Sequence, residues 1–158
     1  MSLSMNVISK ATFFLFVVMA MAATLVFAAS PDDILGVWLT EGKDANIEIY
    51  KCGEKYCGNI VWIIEPNYPA DSKEGIPGTP VLDLNNPNPK LRKTPLIGLQ
   101  ILYNFTYAGD NKWTDGKIYN PDNGRTYSSK MRLVSANELK VRGYIGISLI
   151  GGTETWTK

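Results

Sequence analysis

The chain carries two cysteines, Cys52 and Cys57, and no histidine. These two facts bound its chemistry before any fold is considered. Serine–histidine and cysteine–histidine nucleophiles are excluded, and so are zinc sites built on imidazole. Carboxylates remain, but Asp110, Asp115 and Asp122 all lie in turn-like sequence, where aspartate serves backbone geometry. Ser128 and Ser129 alternate within a strand-like run and have no base to activate them. Asn120-Pro121-Asp122-Asn123-Gly124 has the look of a calcium loop, yet the further spaced oxygen ligands and the closing carboxylate are missing. The residues therefore predict no enzyme, no metal site and no cofactor. A formal net charge of +1 also leaves no basic surplus for nucleic acid.

What the cysteines do depends on the compartment. Residues 1–29 hold one charged side chain, Lys10, then an apolar run from Ala11 to Phe27 that ends in small residues. This is the pattern of a secretory signal peptide, with cleavage near Ala28. The competing reading is a retained anchor, but the run is at the short limit for spanning hydrocarbon, so the mature chain is expected to make no stable membrane insertion. Without Lys10 the basic and acidic side chains balance. Residues 30–158 are the size of one domain, periplasmic or secreted, and in such an oxidising compartment two cysteines are expected to be bonded. A redox couple would show two intervening residues beside a βαβ pattern, whereas four residues separate this pair.

The elements that must position these residues are strands. Period-two alternation, broken by Gly, Pro, Asn and Asp, predicts strands near 36–41, 45–52, 57–64, 99–107, 113–120, 125–134, 138–146 and 152–157. So many short strands in one small domain predict an all-β antiparallel meander closed into a barrel. Residues 65–96 form one long loop, in which Asn88-Pro89 predicts a short helical turn with Asn88 as its cap. That loop is a candidate lid or binding rim, or else a solvated crossing between strands.

The alternation also proposes a hairpin register. With Cys52 opposite Cys57 across a loop of Gly53-Glu54-Lys55-Tyr56, Ile49 faces Ile60 and Ile47 faces Trp62, giving one apolar face. Glu48, Tyr50, Asn59 and Val61 fall on the other. On this reading the disulfide is a clip across a β-hairpin. Downstream, Leu99, Ile101, Tyr103, Phe105 and Tyr107 alternate on one face as core, with Gln100, Leu102, Asn104 and Thr106 opposite.

Five strings together carry a family resemblance: GVWLTE (36–41), EIYKCGEKYCGNIVWI (48–63), LNNPNPKLRKTPLIGLQIL (84–102), GKIYNPDNGRTYSSKMRL (116–133) and LKVRGYIGISLIGGTETWTK (139–158). In this order they resemble the exported bacterial family catalogued as domain of unknown function 2147. The resemblance implies a small calycin-type barrel and brings no established activity. Some relatives have a second cysteine pair where this chain has Tyr144 and Leu149, so one bridge is expected here. Gly36-Val37-Trp38 is also similar to the Gly-x-Trp start of lipocalins, in which the tryptophan closes the barrel end against a basic side chain. Arg142 and Lys158 are the candidates for that partner, and Arg142 is preferred.

Two functional readings follow. The first is a binding barrel for a small, largely apolar molecule in the cell envelope. Apolar residues interrupt turn-rich sequence at Pro95–Leu99 and at Tyr144–Ile150, so Leu96, Ile97, Ile147 and Leu149 are expected to rim the opening, with Arg92 available for an acidic head group. The same stretches could instead meet a membrane or another subunit. The second reading is an envelope interaction module with a filled barrel and a protein partner, its aromatic residues serving as core.

Overall fold

The computed structural model describes residues 30–158, so the expected signal peptide at 1–29 lies outside the described residues. Eight strands follow one another: β1 (Gly36–Leu39), β2 (Ala45–Cys52), β3 (Lys55–Ile63), β4 (Gln100–Gly109), β5 (Lys112–Asn120), β6 (Arg125–Ser135), β7 (Glu138–Tyr144) and β8 (Gly151–Thr157). Each pairs antiparallel with its neighbour in sequence, and β8 returns to β1 to close a barrel. Turn chemistry makes the short connections. Asp110 and Asn111 both take positive φ, as a two-residue hairpin turn requires and as these side chains tolerate. In the long connection, Asn88 caps a single 3-10 turn at Pro89–Leu91, its side chain accepting from the Lys90 N–H as expected.

Cys52 and Cys57 are disulfide-bonded, with Cα atoms 5.8 Å apart. The register is two residues away from the one the alternation suggested. Cys52 faces Lys55 and Cys57 faces Tyr50, so the turn is the two-residue Gly53-Glu54 and the bridge runs diagonally across the ladder. Gly53 supplies the left-handed conformation, at φ 69°, that so tight a turn needs. Because the shift is even, the faces survive it, and Ile47, Ile49 and Ile60 are buried. Trp62 does not join them. A bulge between Asn46 and Ile47 sets it opposite Asn46, and it is 41% exposed.

A second departure from strict alternation lies in β4 and β5. Leu102, expected on the polar face, is fully buried, as is Phe105 three residues on. Between them Asn104 takes φ 58°, and in the facing strand Asp115 takes φ 59°, where another bulge separates the inward Trp113 and Gly116. Two glycines make room for the re-aimed side chains. A methyl group on Gly58 would stand 2.8 Å from Leu102, and one on Gly116 would enter the Phe105 ring.

One end of the barrel is sealed. Ile34 and Trp38 are fully buried there, and the Trp38 indole N–H donates to the Ile34 carbonyl at 2.8 Å. The cation over the Trp38 ring is Lys158, 4.5 Å from the centroid and donating to the Leu35 carbonyl at 2.9 Å. Arg142, the expected partner, is not there. It lies toward the opposite end, on the outward side of β7 beside the inward Val141, and its guanidinium holds the Ser148 carbonyl and the Thr153 hydroxyl. Around the seal, Tyr56 and Tyr107 pack against Trp113 at 6.2 and 5.1 Å between centroids. Asp32 accepts from the Tyr56 hydroxyl at 2.9 Å and pairs with Lys51 at 2.8 Å, pinning the segment before β1.

Replacing Cys52 and Cys57 together by serine is expected to remove about 2 kcal/mol, the loop-closure value for so short a loop. Thermal melts should show a lowered but still cooperative transition. The Tyr56 phenol gives a second expectation. Burial, and then its bond to Asp32, push it up to about 12 from an ordinary 10.0. A raised phenol is held neutral by the fold, so its contribution is complete below pH 10.0 and is lost as pH rises through about 12. Denaturant titrations across that window should show stability falling, and Tyr56→Phe should make the fall shallower.

Candidate functional site

In a meander, successive connections fall at alternate ends of the barrel. The sealed end therefore takes the β2–β3, β4–β5 and β6–β7 turns with both ends of the described chain. The other end takes the β1–β2 turn, the long β3–β4 connection, the β5–β6 turn and the β7–β8 loop. At that end a cavity of about 1150 Å³ opens into the barrel. Its wall is built by inward side chains of four strands, Ile47, Ile60, Ile118 and Val141, with Leu96 from the long connection and Trp156 of β8 also lining it. The volume exceeds the roughly 300–1,000 Å³ of ordinary small-molecule sites. The interior is packed at the sealed end and open at this one.

Side-chain hydrogen bonds anchor the long connection over this mouth. Asp83, only 1% exposed, accepts from the Tyr119 hydroxyl at 2.7 Å and from the Asn86 side-chain amide at 2.6 Å. Both carboxylate oxygens are thus bonded, which a buried charge needs. Burial, followed by this carboxylate, drives the Tyr119 phenol well above its ordinary value. Burial also raises Tyr103, with Asp83 the next cause. Asn85 donates to the Pro121 and Asp122 carbonyls, strapping the connection to the β5–β6 turn. Gly124 passes so close to Asn85 that a side chain there would collide with its carbonyl.

Of the residues singled out from sequence for a ligand, Leu96 is in the cavity wall. Arg92, Ile97, Ile147 and Leu149 do not line it. Arg92 uses its Nε to hold the Asn86 carbonyl at 2.8 Å and so belongs to the strap. In the β7–β8 loop, Ile145 and Ile150 bond to each other through their backbones at 3.1 Å and line the cavity as the neck of the loop. Gly146, at φ 67°, turns the tip away, which leaves Ile147 61% and Leu149 85% exposed.

The cavity also has a polar lining, outside the residues expected for a ligand. Asp44, Glu65, Asp71, Glu74, Asp122 and Glu154 border the cavity, with Lys73 as the one base among the lining residues. Glu154 was legible in principle, because alternation puts it on the same side of β8 as Trp156. It faces the inward Val141 in register, one inward position nearer the mouth than Trp156, whose indole N–H donates to its carboxylate at 2.8 Å.

A closed eight-stranded antiparallel barrel, sealed at one end by a Gly-x-Trp segment and open at the other, defines the calycin class in its lipocalin-like form. Within that class the chain belongs to the family described as "uncharacterized protein conserved in bacteria (DUF2147)", whose model matches residues 36–158. Among solved structures it is similar to protein HP1028 from Helicobacter pylori, described as belonging to the lipocalin family. That likeness has a TM-score of 0.64 and 23% sequence identity, and covers 78% of this chain and 81% of the other. At this identity it shows a shared fold. No curated protein matches the chain.

Tyr119→Phe should strand one oxygen of the buried Asp83 carboxylate, at a cost of about 1–3 kcal/mol. Hydrogen exchange should report faster opening at 83–96, while the amides of β6 and β7 stay protected.

Proposed function

We propose that this protein is an exported, non-enzymatic binding barrel that holds a small, largely apolar molecule within the bacterial cell envelope. The observation that carries the reading is the open cavity, walled by Ile47, Ile60, Ile118 and Val141 and rimmed by a strapped loop. Apolar walls with a few polar groups near the mouth are what a site for such a ligand requires, since burial of hydrocarbon supplies the binding energy. The lipocalin-like fold of the HP1028 neighbour is consistent with it. Export is supported by the disulfide, which persists in oxidising compartments, and by the signal-like 1–29 segment.

The alternative, an interaction module acting through its loops, was tied to a filled barrel, and the open interior favours binding. The reading is tested by titrating the protein with the neutral dye N-phenylnaphthylamine. Saturable binding is expected. Val141→Trp, which puts an indole into the cavity from the wall, should weaken it at least about tenfold and keep a cooperative melt. Absence of saturable binding by the unaltered protein would leave the interaction module.

A further inference from the structure

The chain as a whole is nearly balanced in charge, at +1, but the cavity is not. Its ionisable lining is Asp44, Glu65, Asp71, Glu74, Asp122 and Glu154 against Lys73. These acids come from the β1–β2 turn, the long connection, the β5–β6 turn and β8, so the fold collects them from across the sequence onto one opening. Among the described residues none has a basic partner. The ion pairs among the described residues are Lys51 with Asp32 and Lys112 with Asp110, neither at this mouth. Arg92 and Arg142 are committed to the Asn86 and Ser148 carbonyls, and Lys43, Lys90, Lys93 and Arg125, which lie in or beside the mouth loops, do not line the cavity. Nor do three of the acids converge closely enough to hold a metal ion. The result is a negative field spread around an apolar well, and such a field is focused where low-dielectric walls border the opening.

Glu154 gives that field a specific point. It faces inward at the open end, opposite Val141 and one inward position nearer the mouth than Trp156, and is exposed to solvent there. One carboxylate oxygen takes the Trp156 indole N–H, which orients the side chain along the cavity wall and leaves the other oxygen to solvent. A carboxylate held there next to hydrocarbon walls is suited to a cation carried on an apolar body.

We propose that the cavity selects a cationic amphiphile, its hydrocarbon against Ile47, Ile60 and Ile118 and its positive group against Glu154, a choice that rests on the binding role proposed above. This replaces the acidic head group expected from Arg92. Decylammonium, decanol and decanoate share one chain length and differ in charge, and the ammonium can donate an N–H to a carboxylate. Each is titrated below its critical micelle concentration against the purified protein, by calorimetry and by tryptophan fluorescence. The cation should bind at least about tenfold more tightly than decanol, the value of one charge-assisted contact, and decanoate should bind more weakly than decanol. Glu154→Gln keeps an acceptor for the Trp156 indole. It should bring the cation-to-decanol ratio close to one, with decanol affinity and melting temperature unchanged. A ratio near one in the unaltered protein, or a ratio that survives Glu154→Gln, overturns the assignment and leaves the binding role intact. Failure of all three compounds to bind removes the binding role as well.

Discussion

The seal at one end of the barrel is the constraint on which the rest of the structure depends. β1 has four residues and meets β8 at one paired position, Leu39 with Thr157, so backbone pairing alone closes the sheet thinly. Side chains complete the closure. Trp38 is fixed by its bond to the Ile34 carbonyl, and Lys158 covers its ring while holding the Leu35 carbonyl. Glu41 reaches across the seam to the Thr155 N–H at 2.9 Å. An open sheet would expose unpaired edges, and this arrangement removes them with few strand residues.

Placing the large side chains at the seal leaves the opposite end short of them. Trp38, Trp113 and Phe105 are fully buried in the core, as is Trp156 at 1% exposure, whereas the residues facing inward toward the mouth are Ile47, Ile60, Ile118 and Val141. An eight-stranded barrel can be filled by side chains or hold one small ligand, and here the aliphatic wall leaves a cavity open at the mouth. The bulges at Asn104 and Asp115 contribute by turning Leu102 and Phe105 into the packed part of the interior.

An open barrel needs a rim that does not collapse into it. The long connection meets this need with polar bonds more than apolar packing. Asp83 is buried with both oxygens satisfied, Asn85 reaches two carbonyls of the β5–β6 turn, and Arg92 holds Asn86. Such bonds are directional, so they fix the loop at one height over the mouth. The same connection contributes Glu65, Asp71 and Glu74 to the mouth, so its anchoring also sets the field there.

The sequence by itself determined whatever depends on near neighbours. Alternation gave the strands and their order, Asn88-Pro89 the capped turn, and the paired cysteines the bridge, because each follows from local backbone preference or from side-chain period. The faces of the first hairpin were also legible, since an even shift of register preserves them. Tertiary structure decided the rest. The bulges that turned Leu102 inward and Trp62 outward reflect packing against other strands, which a period of two does not encode. Lys158, not Arg142, reached Trp38 because strand direction puts them at opposite ends. The mouth residues Asp44, Asp122 and Glu154 are far apart in the chain and meet only because alternate connections of a closed meander share one end. That meeting is a property of the barrel's closure, and no local pattern in the sequence carries it.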